Sequence, residues 1–214
     1  MSDVDAIVFD LGGVLIDWNP RYLYRSLFDN DVEMEAFLGS VCTMEWHYQH
    51  DLGRPMTETL PELVAQWPEH TAKIMAWARE DEMISGAITP AVEILEELLH
   101  GRPIRCFALT NWPQESFTRL RDRFSFLALF EGIVVPGAEG IAKPDPAIFR
   151  LLLERYELDV ASTLFIDDTP ANVEVARAIG MRAHRFTTAV ALAGELTALG
   201  VMTPSRPAMR RGAR

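Results

Sequence analysis

Along most of this 214-residue chain, short apolar runs alternate with stretches in which apolar positions recur every three or four residues. The first run, Ala6-Ile7-Val8-Phe9, offers no polar side to water and reads as a strand buried on both faces. From Thr89 to His100 the period changes: Ile94, Leu95, Leu98 and Leu99 share one helical face, Thr89 and Pro90 open the segment, and Gly101 stops it. The alternation then continues with strands over 104–109, 132–135, 163–166 and 182–186 and helices over 114–123, 145–156, 171–179 and 189–199. Strands and helices in strict alternation call for an α/β fold, a Rossmann-like doubly wound parallel sheet with helices on both faces.

Between Asp17 and about Gly86 the rhythm breaks. Three stripes, Tyr22/Leu23/Leu27/Phe28, Phe37/Leu38/Val41 and Leu60/Leu63/Val64/Trp67, have helical spacing, and no strand pattern stands out. The expectation is a core domain of residues 1–16 and 87–204 with an all-helical cap of residues 17–86 inserted directly after the first strand. Such a cap stands over the strand tip, where it excludes water and selects substrate. Trp46, Trp67 and Trp77 lie within it, and Trp18 is at its entrance.

Composition fits a globular protein, with 49% hydrophobic and 24% charged residues. No stretch has the length of a membrane span, and residues 1–10 lack the basic head and apolar middle of a secretory signal, so the expected location is the cytoplasm. Cys42 and Cys106 are too few for a disulfide framework and read as reduced core residues. The net charge is −11, and setting aside Arg206, Arg210, Arg211 and Arg214 leaves −15 on residues 1–204. That charge repels nucleic acid and anionic lipid, so neither is an expected partner. The basic tail, 205–214, has no apolar periodicity and reads as a disordered terminus. A monomer and a homodimer are equally compatible with the sequence.

The candidate chemistry lies where apolar runs end. Asp10-Leu11-Gly12-Gly13-Val14 presents a carboxylate at the tip of the first strand, with glycines that allow a tight turn and close approach of a ligand. Phe107-Ala108-Leu109-Thr110-Asn111, Ile141-Ala142-Lys143-Pro144 and Leu164-Phe165-Ile166-Asp167-Asp168 each end in a polar residue suited to a phosphate or a cation. Any one of these segments is ordinary. Four in order are not.

In that order the four segments resemble the motifs of the haloacid dehalogenase superfamily, and within it those of sugar-phosphate phosphatases. The resemblance implies that Asp10 is a nucleophile forming an aspartyl-phosphate. It implies Mg²⁺ bound by Asp10, the Gly12 carbonyl and Asp168, with Asp167 as a further ligand or an anchor. By the same resemblance, Thr110 donates to a phosphoryl oxygen, Lys143 neutralises charge, and the amides at Asn111 and Trp112 assist at the helix opening. Asn172 stands where many relatives carry an acid and is expected to fix a metal-bound water. Gly12 and Gly13 border the phosphate, and Trp18, Trp46 and Trp112 are candidates to line a pocket for the rest of a small phosphorylated substrate.

Gly12 departs from the family pattern, in which an aspartate two residues after the nucleophile protonates the leaving oxygen. General acid–base assistance of that kind is worth ~10²–10⁴-fold. Either the leaving group is a good one, or the cap supplies the acid from His47, Glu45 or Asp51, or the site binds phosphate without turnover. His47 and His50 have a spacing compatible with a metal, but read more simply as residues of a cap helix, and Arg54 as a solvated surface residue. A metal-free 2-haloacid dehalogenase is the competing chemistry, disfavoured by the paired carboxylates Asp167 and Asp168.

Overall fold

The computed structural model describes residues 4–100, 104–136 and 140–203. Gly101 as a helix stop and the tail 205–214 lie outside the described residues. The strands β1 (Ala6–Phe9), β2 (Ile16–Trp18), β3 (Ile84–Ala87), β4 (Arg105–Leu109), β5 (Gly132–Val134), β6 (Thr163–Asp167) and β7 (Arg182–Arg185) form two sheets. Five of them make a parallel sheet in the order β5-β4-β1-β6-β7. Central β1 is buried along its whole length, which is why its sequence shows no polar alternation.

The period-2 geometry of the strands feeds two cores. Ile7, Phe9, Cys106, Ala108, Leu164 and Ile166 face a core completed by Leu95 and Leu98 of helix Thr89–His100, Phe117 and Leu120 of Gln114–Arg123, and Leu192 and Leu196 of Ala189–Ala198. Ala6, Val8, Phe107, Leu109 and Phe165 face the opposite core with Ile148, Phe149 and Leu152 of helix Pro146–Arg155 and Ala176 of Pro170–Ala178. The doubly wound α/β expectation holds, element by element.

The segment after β1 holds α1 (Arg21–Tyr24), α2 (Asp31–Ser40), α3 (Met44–Asp51), α4 (Met56–Gln66) and α5 (Thr71–Met75), followed by short 3₁₀ turns. Apart from Tyr22, which is exposed and donates its hydroxyl to Asp17, the three stripes converge on Tyr24, Phe37 and Trp77 in a core of their own. At its two edges this segment is not helical. β2 and β3 pair antiparallel, Ile16 with Ala87, Asp17 with Gly86 and Trp18 with Ile84, so residues 17–18 and 84–86 are strand. Both strands are short, and one carries an irregularity between Asp17 and Trp18, which leaves too little alternation to read in sequence. A two-strand ribbon thus carries the chain out of the sheet domain and back. Trp18 packs against both the sheet core and the helical core.

Cys42 and Cys106 are buried free thiols, each pushed up to about 12 by burial. Among the described residues, no helix is long and apolar enough to cross a membrane.

Candidate active site

All of the strand-end motifs meet at one edge of the sheet. Parallel strands bring their C-terminal ends to the same side, and the strand order reverses around β1, opening a crevice there. Asp10 follows β1, Thr110 follows β4, Asp167 and Asp168 end β6, and Lys143 precedes the helix Pro146–Arg155, α8, after α6 (Thr89–His100) and α7 (Gln114–Arg123).

At the centre is Lys143, whose side chain is almost completely buried. Its Nζ lies 2.8 Å from Asp10 Oδ1 and 2.7 Å from Asp167 Oδ2. Asp167 is buried outright, and its remaining valences are filled: Oδ1 accepts from Thr169 N at 2.8 Å, and Asn172 Nδ2 reaches both oxygens at 3.0 Å. Asn172 therefore braces Asp167. Asp10 Oδ1 also accepts from Leu11 N at 2.7 Å, while among the described residues Asp10 Oδ2 accepts no hydrogen bond. Carboxylate oxygens of Asp10, Asp167 and Asp168 all lie within 4.8 Å of one another.

Three carboxylates share one ammonium. Burial raises the Asp10 carboxyl above the usual carboxylate range, against the opposing pull of Lys143, and burial with Asp167 nearby raises Asp168. Burial alone would favour a neutral amine at Lys143, but Asp10 and Asp167 outweigh it and hold the ammonium charged. The cluster offers oxygen donors only, as a hard divalent cation requires.

The turn after β1 is shaped by what Gly13 must avoid. Its φ is +73°, and a Cβ there would lie 2.4 Å from Asp168 Oδ2. Gly13→Ala is expected to cost ~1–2 kcal/mol from the left-handed backbone alone, and to displace Asp168. A lowered unfolding midpoint together with weaker metal-induced stabilisation is the result to look for. Gly12 differs: a Cβ there would meet nothing within 4 Å and its φ is not left-handed. No steric reason keeps a side chain away from that position, and the space stays open to the cavity.

Thr110 is buried, and its Oγ1 lies 3.4 Å from Trp112 N, which donates to it; among the described residues the hydroxyl proton has no acceptor. Asn111 grips the backbone of Lys143 through both amide atoms, with Nδ2 to the Lys143 carbonyl and Oδ1 from its N–H, each at 2.8 Å. Helix α7 opens only at Gln114, so the amides of Asn111 and Trp112 precede it rather than cap its first turn.

Above these groups is a cavity of about 530 Å³ whose other wall comes from the helical segment. Asp10, Gly12, Gly13, Thr110, Asn111, Lys143, Asp168 and Asn172 line its floor, and Trp18, Leu38, Cys42, Met44 and Trp112 give it apolar sides. Arg21 and Glu35 stand at this wall as a bidentate pair, 2.5 and 2.6 Å apart, a polar feature that sequence reading did not find because the two residues lie fourteen apart on different helices.

Trp46 is not a lining residue. It packs edge-on against Trp77 and His50, with ring centroids 5.3 and 4.7 Å apart, so its place is in the helical core. Of the three acids considered for the cap, Glu45 is exposed and away from the cavity, whereas His47 and Asp51 line it. His47 and His50 turn their Nδ1 atoms toward each other at 3.3 Å, and His50 Nε2 meets Thr59 Oγ1 at 2.7 Å, an arrangement of hydrogen bonds rather than of metal ligands. Arg54 is bound at the surface by Glu62 and Gln49.

The family model for haloacid dehalogenase-like hydrolases matches residues 4–180. The chain belongs to that family. It is a hydrolase of the phosphatase kind, as its full-length relatives indicate. A sesquiterpene phosphatase of Aspergillus oryzae is 30% identical over 197 residues, covering 91% of this chain and 95% of the relative. A phosphorylated carbohydrates phosphatase of Thermotoga maritima is 27% identical over 187 residues, covering 83% and 82%. Among solved structures, a HAD family enzyme of Bacteroides thetaiotaomicron, in complex with magnesium and inorganic phosphate, superposes with a TM-score of 0.63 at 19% identity, over 86% of this chain and 94% of that one. At that identity the likeness is one of fold.

Proposed function

We propose that this hydrolase is a Mg²⁺-dependent phosphatase that cleaves a small phosphorylated metabolite through an aspartyl-phosphate on Asp10, beneath a cap formed by residues 17–86. The observation that carries the reading is the Lys143 ammonium held between Asp10 and Asp167, with Asp168 alongside, at the floor of a capped cavity.

Asp10 Oδ1 is fixed by Leu11 N and Lys143, which leaves Oδ2 as the nucleophilic oxygen. The second carboxylate on the lysine, Asp167, is itself braced by Asn172 and Thr169, so Lys143 cannot swing away as charge moves between Asp10 and the phosphoryl group. The hydroxyl proton of Thr110 is directed to a phosphoryl oxygen, and Gly13 lets the backbone approach that group closely. Asp10, Asp168 and the Gly12 carbonyl would hold Mg²⁺; Asp167, saturated by its own donors, serves as the anchor of Lys143. When bound, the ion offsets the repulsion between Asp10 and a phosphate dianion.

The substrate beyond its phosphate meets Trp18, Leu38, Cys42, Met44 and Trp112. These sides favour a leaving group with a substantial apolar face. Both a terpenyl chain and the apolar face of a sugar ring meet that description, in keeping with the names of the two relatives.

The test is phosphate release from p-nitrophenyl phosphate with Mg²⁺ and with EDTA. Release that stops on chelation supports the proposal, whereas release that survives EDTA overturns it, as does halide release from 2-chloropropionate without any phosphatase activity. Asp168→Asn is expected to raise the Mg²⁺ concentration for half-maximal activity by ~10–100-fold, a metal titration of activity being the measurement.

A further inference from the structure

We infer that Asp51, supplied by the helical segment, is the general acid and base that the Gly12 position lacks. The inference rests on the phosphatase reading above and assigns the missing proton to a residue.

The geometry begins with α3, where His47, His50 and Asp51 fall three and four residues apart on one face. That face looks toward the cavity at His47 and Asp51. With both imidazoles neutral, the contacts His50 Nε2 to Thr59 Oγ1 and His50 Nδ1 to His47 Nδ1 have two consistent directions; in the one where Thr59 donates, His47 carries its proton on Nε2, which faces Asp51 Oδ1 at 3.7 Å. Burial keeps both imidazoles neutral, lowering His47 to about 3 and His50 to about 4. Neither histidine can then be the acid. His47 is further fixed by stacking on Trp18, with ring centroids 5.4 Å apart and planes 23° from parallel.

Asp51 is different. It is the last residue of α3, at the negative end of the helix, and it is largely buried between the helical segment and the sheet domain. Around it are Lys143, Asp10, Glu80 and the Asn111 amide, besides His47 on its own helix. Burial, opposed by Lys143 and reinforced by Asp10 and Glu80, raises its carboxyl to about 8. A carboxyl that keeps its proton at neutral pH is a donor, as catalysis of leaving-group departure needs.

The proton balance closes over one turnover. Asp10 forms a bond to phosphorus as the bond from phosphorus to the leaving oxygen breaks, and that oxygen takes the electron pair and the Asp51 proton. Asp51, now a carboxylate, accepts a proton from water as the water oxygen attacks the aspartyl-phosphate. Phosphate departs with the water's hydroxyl oxygen, Asp10 recovers its oxygen and charge, and Asp51 ends protonated. Asp10, Gly12 and Asp51 all line the one cavity, and a Cβ at Gly12 would meet nothing within 4 Å.

The experiment measures kcat/KM against pH for butyl phosphate and p-nitrophenyl phosphate, with Mg²⁺, in the wild type and in Asp51→Asn. Loss of the Asp51 proton predicts that wild-type activity on butyl phosphate falls above about pH 8. Asp51→Asn is expected to lose at least ~100-fold on butyl phosphate, far less on p-nitrophenyl phosphate, and to lack the alkaline fall. As a positioning residue, His47 gives a related signature: His47→Leu lowers the alkyl rate selectively, and His47→Gln, which keeps an N–H donor, restores it. Equal losses on both substrates, or an alkaline fall that persists in Asp51→Asn, overturn the inference. The wild type alone supplies an independent check, since a steep decline of kcat/KM with rising leaving-group pKa overturns it without any variant. Absence of Mg²⁺-dependent phosphate release from the wild type instead overturns the phosphatase reading beneath it.

Discussion

Asp10→Asn is expected to reduce phosphate release by at least ~10⁴-fold, because removing the nucleophile removes the covalent route altogether. The same variant is expected to keep its thermal unfolding midpoint within a few degrees of the wild type. Deleting one partner of a buried ion pair normally leaves a stranded charge and costs ~3–5 kcal/mol, but here Lys143 retains Asp167 at 2.7 Å. The substitution also relieves repulsion, since two carboxylates rather than three then share the ammonium. Phosphate release with Mg²⁺, set beside a thermal melt of the same sample, separates the two effects. Retained turnover would eliminate the aspartyl-phosphate route, and a large fall in the midpoint would mean that Lys143 depends on Asp10 for its place.

Lys143→Met is expected to do the opposite to stability. It leaves Asp10 and Asp167 buried with no counter-charge, and ~3–5 kcal/mol of unfolding free energy is the expected loss near neutral pH, together with nearly all activity. The loss has a pH dependence of fixed sign. Burial already raises the folded-state Asp10 carboxyl, and removing the lysine takes away the effect that opposes the rise. A carboxyl whose folded pKa exceeds the unfolded value of ~3.9 takes up a proton on folding. Its contribution to stability is fully present below the unfolded pKa and is lost as pH rises toward the folded one. Denaturant unfolding of the variant should therefore show its largest deficit in mildly alkaline buffer and a shrinking deficit as the buffer is acidified toward pH ~4. A deficit independent of pH would show that the lysine acts by packing and not by charge.

The sheet domain was legible because burial on both faces leaves a clear trace. Ala6–Phe9 reads as a buried strand, and so do the residues of β4 and β6 that flank it. The positions of Asp10, Thr110, Asp167 and Asp168 follow from that alternation, since parallel strands with right-handed crossovers put all their C-terminal ends on one side, whereas Lys143 lies in the turn before α8. What escaped was the brace around them. Asn172 is five residues beyond Asp167, one strand end and one helix start away, and nothing in the order of residues says that its amide reaches both carboxylate oxygens.

The sequence by itself determined the α/β architecture, the edge of the sheet where the chemistry lies, and the absence of an acid at Gly12, because each depends on local period and on covalent order. The tertiary structure alone decided which helical residues face the cavity. Trp46 and His47 are neighbours on α3 and both pack on Trp77, yet only His47 also lines the cavity with Asp51. A helix turns about 100° per residue, so adjacent side chains must part. With aromatic and polar residues on both sides of α3, only its docking against Trp18 and Trp77 fixes which side turns inward.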